Sequence, residues 1–237
     1  MLLKDCRSIL YNSSLSELPK AKILINTINA HSFNVAKTNM PFREALINSH
    51  ILLPDGVSIV WANRLLFGCK IRKTAGADLF KWEMERLNRT GGRVFFLGSS
   101  LSVLDKIKKR ASVEYPNVIV SYFSPPFKKQ FSLDESCKMV EAVNEFEPDV
   151  LFIGMTAPKQ ETWAADHFHK LKAGHICCVG AVFDFYAGSI TRSPDWMVKI
   201  GMEWFYRFLK EPKRMWKRYL IGNSKFVFHI LSEKMAA

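Results

Sequence analysis

From Lys22 to about Gly180 the chain alternates short apolar runs with longer stretches of helical periodicity. The apolar runs are Lys22–Ile28, Ile51–Leu53, Arg93–Leu97, Val118–Tyr122, Asp149–Ile153 and His175–Val179. Between them, helical patterns cover Phe42–Ser49, Val57–Leu66, Asp78–Arg89, Leu101–Glu114, Leu133–Glu147 and Lys159–Leu171. β-rich runs separated by helix-length segments predict an α/β fold: a Rossmann-like, mostly parallel sheet with helices on both faces. After Gly188 the chain turns helical, aromatic and basic. The division expected is a core over residues 1–190 and a helical, membrane-associating appendage over 191–237.

Parallel sheets bind ligands at the carboxyl ends of their strands, in the loops that lead into helices. Four such loops stand out: Thr27-Ile28-Asn29, Pro54-Asp55-Gly56, Gly98-Ser99-Ser100, and the stretch from Gly154 to Glu161 that carries Pro158-Lys159-Gln160-Glu161. Asp55 has two readings, an N-cap for the helix that follows or a general base within reach of a substrate hydroxyl. Gly98-Ser99-Ser100 reads either as a tight turn with a Ser cap or as a diphosphate cradle at a helix N-terminus. There is no GxGxxG and no GxxxxGK[ST], so neither a dinucleotide fingerprint nor a P-loop is supported. Gln160 can serve ordinary helix-start chemistry or hydrogen-bond a sugar hydroxyl. Asp184, set among aromatics, needs a partner if buried, and Arg192 is the candidate.

Composition narrows the class. The 237 residues are 48% hydrophobic, which excludes a disordered chain. The 5 Cys form no CxxC pair and suit a reducing compartment. The six His make no HExxH or similar set, and no Asp-x-Asp pair is present, so no metal and no cofactor is expected. The formal charge of +12 attracts phosphates, whether of nucleotide, lipid or nucleic acid. Between Lys199 and Lys225, eight Lys/Arg and two acids give +6, half of the total. Aromatics interleave with these cations, as in an interfacial helix on anionic lipid. No run reaches the roughly 18 apolar residues of a membrane span. A secretory leader is not expected from the charged first residues.

Taken together, these segments resemble the bacterial WecG/TagA/CpsF glycosyltransferases from about Ile23 to Gly222. The motifs are Thr-x-Asn at Thr27–Asn29, Leu-Pro-Asp-Gly around Asp55, Ala75-Gly76-Ala77-Asp78-Leu79, Phe96-Leu97-Gly98, the Pro-Asp-Val-Leu-Phe-Ile-Gly run, Ala157–Glu161, Phe183–Gly188 and Glu203–Pro212. Each is weak alone; eight in order are specific. The resemblance implies an inverting, metal-independent transferase that moves a sugar of N-acetylmannosamine or glucose type from a UDP-sugar. The implied acceptor is a sugar on a polyprenyl diphosphate at the inner face of the cell membrane, in cell-surface polysaccharide or teichoic acid synthesis. Asp55 matches the family's catalytic base, overriding the cap reading. Thr27, Asn29, Lys73, Gly98, Gln160, Glu161 and Asp184 fall at substrate-binding positions. Arg207, Arg214 and Arg218 are the candidates for the acceptor diphosphate or the membrane. Lys73 stands where the family commonly has Arg, keeping the charge but losing the bidentate fork.

Two rivals are weaker. A nucleic-acid-binding α/β protein would use the basic C-terminal helices, but no reading motif is present and it would have no need of Asp55. An oxidoreductase lacks the glycine fingerprint. The oligomeric state is open, with a homo-oligomer allowed.

Overall fold

The computed structural model describes residues 2–191, 193–199 and 201–235, with only the backbone of Asp195, Lys199 and Arg214. Six strands form one sheet: β1 (Ile23–Ile28), β2 (Ile51–Pro54), β3 (Arg93–Gly98), β4 (Ile119–Phe123), β5 (Val150–Gly154) and β6 (His175–Cys178). All neighbours are parallel, in the order β2-β1-β6-β5-β3-β4. The strands follow the six apolar runs, because a strand covered on both faces needs no polar alternation; only the edge strand β4 is half-buried.

Helices cover both faces. One layer contains α5 (Gly76–Thr90), α6 (Leu101–Glu114) and α9 (Val182–Tyr186); it buries Leu79, Phe80, Leu104 and Phe183 against Ile25, Phe96 and Phe152. On the other face α7 (Leu133–Phe146) and α8 (Lys159–His167) bury Met139 and Trp163 against Leu97, Leu151 and Ile176. Beside them α2 (Ala30–Ala36), α3 (Met40–Ile47) and α4 (Val57–Phe67) enclose Ile28 and Leu52, with the single turn α1 (Leu2–Asp5) below. The short helix α2 goes unseen in the sequence, because Asn29 starts it within one residue of the strand end. Asn29 Oδ1 accepts the amide N–H groups of His31 and Ser32 at 3.0 and 3.1 Å, a complete N-cap.

Crossovers leaving β5 and β3 diverge, one toward β6 and one toward β4, so a crevice opens between these neighbours at their carboxyl ends. Gly98 and Gly154 face each other there in register. Gly98 has φ +117°, and a Cβ on it would lie 2.6 Å from the Gly154 carbonyl oxygen, so only glycine fits.

Past α9 the chain forms α10 (Asp195–Lys199), α11 (Glu203–Lys210), α12 (Pro212–Trp216), a π-helical stretch Lys217–Ile221, and α13 (Gly222–Met235). Helix α13 is part of the core beside α2 and α4. Phe226 and Ile230 are fully buried there, and Phe226 meets Phe33 edge-on at 5.1 Å. Asn34 Nδ2 donates to the Gly222 carbonyl at 2.7 Å, and Lys37 pairs with Glu233 at 3.1 Å. No helix among the described residues is long and apolar enough to cross a membrane.

Phe226→Ala should therefore cost about 3–5 kcal/mol, the range for deleting a buried Phe. Urea unfolding measures it, and a cost under about 1 kcal/mol would mean that α13 only rests on the surface.

Candidate active site

Asp55 follows β2 directly, and its N–H donates to the Ile28 carbonyl, which fixes its backbone beside the end of β1. The next residue, Gly56, has φ +125° and occupies the N-cap position of α4, where no side chain caps the helix. The Asp55 carboxylate is thus not spent on the helix. It is bound by the side-chain amide of Asn29. Since Asn29 Oδ1 already holds two backbone N–H groups, its NH2 is left to donate to Asp55. One residue caps α2 and aims the acid.

Burial lifts Asp55 most, and Glu203 adds to it by repulsion; Lys73 and the Asn29 hydrogen bond pull back, and Asp78 pushes up a little further. The result is a carboxyl near pH 6 rather than 3.8. Lys73 also donates to the Val198 carbonyl at 3.2 Å, so its ammonium links the loop before α5 to the C-terminal helices. Asp78 Oδ2 accepts the Ala75 N–H at 2.9 Å and closes the start of α5.

A second group lies after β5. Gln160 is buried, and its Oε1 accepts the N–H groups of Met155 and Gly180, both at 3.1 Å. Its Nε2 donates to Glu161 at 2.8 Å. The Gln160 amide thereby ties the β5 and β6 loops to each other. Glu161 is buried too, and burial raises its carboxyl to about 7 against the lowering effect of Gln160. Gly98 sits across the crevice from this pair.

Thr27 is half-buried at the end of β1, opposite Leu53, on the same rim as Asp55. Asp184 lies in α9, after β6. Beside it the Arg207 guanidinium stacks 5.4 Å over Phe185. Arg218, in the π-helical stretch, faces His31 at the first turn of α2; burial and then this cation drive the His31 imidazole down to about 4. The Arg214 side chain and all of Arg192 lie outside the described residues.

Asp55, Asn29 and Lys73 are thus brought together, while Gln160, Glu161 and Gly98 form a separate clamp one crevice away. The motifs held two further neighbours of Asp55 that sequence reasoning passed over, Glu203 and Asp78. Glu203 carried a signal: it is one of only two acids among eight cations between Lys199 and Lys225. Among the described residues no three His, Cys, Asp or Glu side chains are grouped to hold a metal ion. Chemically, the arrangement offers a proton acceptor tuned toward neutrality, with cations and backbone N–H groups nearby for developing negative charge.

Residues 10–237 match the family model described as the glycosyl transferase WecG/TagA/CpsF family. Among similar proteins is an N-acetylglucosaminyldiphosphoundecaprenol N-acetyl-beta-D-mannosaminyltransferase of Bacillus subtilis (strain 168). It is 27% identical over 215 residues, covering 91% of this chain and 81% of that protein. A protein of the same description from Staphylococcus aureus (strain MW2) is 26% identical over 226 residues, covering 95% and 83%. Another, from Bacillus spizizenii, is 25% identical over 202 residues, covering 85% and 76%.

The environment of Asp55 makes a stability prediction. Its folded-state pKa lies above the ordinary value, so the fold binds this proton more tightly than the unfolded chain does. Stability from this group is therefore full below about pH 4 and lost as pH rises through 6. Asp55→Asn removes the penalty and should stabilise the protein at pH 7.5 by on the order of 1–2 kcal/mol, with the gap closing toward pH 4. Thermal melts across pH measure this, and an Asn variant less stable at pH 7.5 would contradict the assigned environment.

Proposed function

The chain belongs to the glycosyl transferase WecG/TagA/CpsF family, and on that premise we propose that it transfers an N-acetylmannosamine-type sugar from a UDP-sugar to a polyprenyl-diphosphate-linked N-acetylglucosamine. That it is a glycosyltransferase follows from the family; the transferred sugar and the acceptor are supported by how its relatives are described, and the UDP carrier is part of the proposal. The observation that carries the mechanism is Asp55: a half-buried carboxyl near pH 6, at a strand end, aimed by Asn29 and not used as a cap.

The reaction is a single displacement. Asp55 takes the proton of the acceptor hydroxyl as that oxygen bonds to the anomeric carbon. The bond from that carbon to the UDP oxygen breaks, and configuration inverts. A base close to the working pH is present as carboxylate and still holds a proton well. Charge growing on the leaving diphosphate is offset by Arg207, Arg218 and backbone N–H groups, without a metal. Arg214, whose side chain lies outside the described residues, is proposed with them from the family resemblance alone. Thr27, Asn29 and Asp184 contact the sugars, and Gln160 and Glu161 act by shaping the crevice floor.

We divide the labour between residues 1–190, which carry the base, and residues 191–237, which bring Glu203 and the arginines over it. The exposed Trp196, Leu209 and Trp216 with their neighbouring cations suit an anionic membrane surface. The enzyme then works on the inner face of the cell membrane, where a lipid-linked acceptor is held.

Two outcomes test this reading. With UDP-N-acetylmannosamine and a short-chain lipid-diphosphate N-acetylglucosamine, Asp55→Asn should lower turnover at least about 100-fold, the low end for general-base catalysis. Turnover by the folded variant close to wild type would remove Asp55 from this role. Excess EDTA should leave the wild-type rate unchanged; a rate lost to EDTA and restored by magnesium or manganese would sink the metal-free displacement.

A further inference from the structure

The connection between β4 and α7 has no part in the chemistry above, yet it carries the most exposed large apolar side chain among the described residues. Phe127 is fully exposed, at 103% of its reference area, and Leu133 at the start of α7 is 87% exposed. Pro125-Pro126 precedes Phe127, and the exposed Lys128 and Lys129 follow it.

This turn is held from beneath. Ser124 Oγ donates to the Ser99 carbonyl at 2.7 Å, joining it to the β3 loop. Lys159, at the start of α8, donates to the Lys128 carbonyl at 2.8 Å and lies 4.6 Å from the Phe131 ring centroid. Lys128 pairs with Glu135 at 2.6 Å, and Ser132 and Glu135 close α7 as a capping box. The tip therefore presents Phe127 on a braced turn. Apart from Lys159 Nζ, 5.9 Å from its centroid, the Phe127 ring lies in water, and a braced turn that sets such a ring beside an exposed lysine has the aromatic-plus-cation chemistry of an interfacial contact.

Position and charge indicate which. All six strands are parallel, so the turn after β4 lies on the same rim as Asp55 after β2. β4 and β2 are opposite edges, five strand spacings or about 24 Å apart. Lys73 joins the C-terminal helices to the Asp55 end of the rim. Those helices expose Trp196, Leu209 and Trp216 among Lys and Arg. Both ends of the carboxyl-end rim thus carry exposed apolar groups beside cations. A flat anionic surface can meet both at once.

We propose that the Phe127–Lys129 tip is a second membrane contact, with Phe127 entering the interfacial layer of an anionic bilayer and Lys129 meeting its head groups, while Lys128 stays paired to Glu135 and braces the turn. Together with the C-terminal helices it fixes how the crevice faces the lipid, so that a lipid-borne acceptor reaches Asp55 in one orientation. This rests on the reading that the acceptor is lipid-linked.

The test uses the full chain, vesicles of phosphatidylglycerol with phosphatidylcholine, and the variants Phe127→Ser and Lys129→Glu. Cosedimentation without any substrate should show each variant binding at least about threefold more weakly, and the double variant weaker still. On a soluble short-chain acceptor without vesicles, both variants should keep wild-type kcat and KM. With the acceptor embedded in vesicles, their turnover should fall. Unchanged cosedimentation, or a wild-type chain that does not bind these vesicles, overturns the proposal. A raised donor KM on the soluble acceptor would assign the tip to the donor site, and loss of a dimer in Phe127→Ser would assign it to a second copy. Both overturn it. If the wild type binds vesicles through Phe127 but transfers no sugar, the reading of the reaction fails and this contact stands.

Discussion

The molecule is organised around one expense: an acid pressed into a half-buried, charge-crowded position at the edge of a parallel sheet. A buried carboxylate survives only with hydrogen bonds or counter-charge. Here Asn29 supplies the first and Lys73 the second, while Glu203 and Asp78 oppose them. The balance leaves Asp55 close to neutrality, a poor choice for stability and a good one for taking protons. These neighbours come from three separate parts of the chain. Asn29 starts α2, Lys73 precedes α5, Asp78 opens that helix, and Glu203 begins α11. Asp55 therefore acquires its environment only when the sheet, its helices and the C-terminal segment have all assembled.

The C-terminal segment consequently has two attachments of different kinds. Its far end, α13, is hydrophobic core, held by Phe226 against Phe33. Its near end is polar, held by Lys73 on the Val198 carbonyl and delivering Glu203 to the base. Between them a π-helical stretch carries Arg218. Such stretches shift the phase of a helix and recur at functional sites. Anchoring a segment at both ends lets the part over the crevice carry exposed aromatics and cations without unfolding the rest.

Much of the fold was legible because buried parallel strands write themselves as unbroken apolar runs. All six run positions and the helices on both faces follow from that pattern. The short helix α2 was missed because its only signal is Asn29, which read as a loop contact. Asp55 was legible as an acid at a strand end; the resemblance set its cap reading aside, and Gly56 in the N-cap position of α4 supplies the local reason. Gln160 illustrates the opposite limit. Its position beside the loop was readable, yet its bonds to Met155 and Gly180 join segments 5 and 20 residues away. Glu203 was visible as an odd acid among cations, but nothing local says that it ends beside Asp55, more than a hundred residues earlier in the chain. Long-range electrostatic neighbours are the part of a site that periodicity does not encode.

The measurement closest to the central claim is the pH dependence of kcat/KM for sugar transfer to a soluble acceptor. A base with the environment of Asp55 gives an acid limb near pH 6. Glu203→Gln removes a repelling charge, so its limb should move to lower pH. A limb at the ordinary carboxylate value near pH 4, or one that Glu203→Gln leaves in place, would contradict a base tuned by the C-terminal helices.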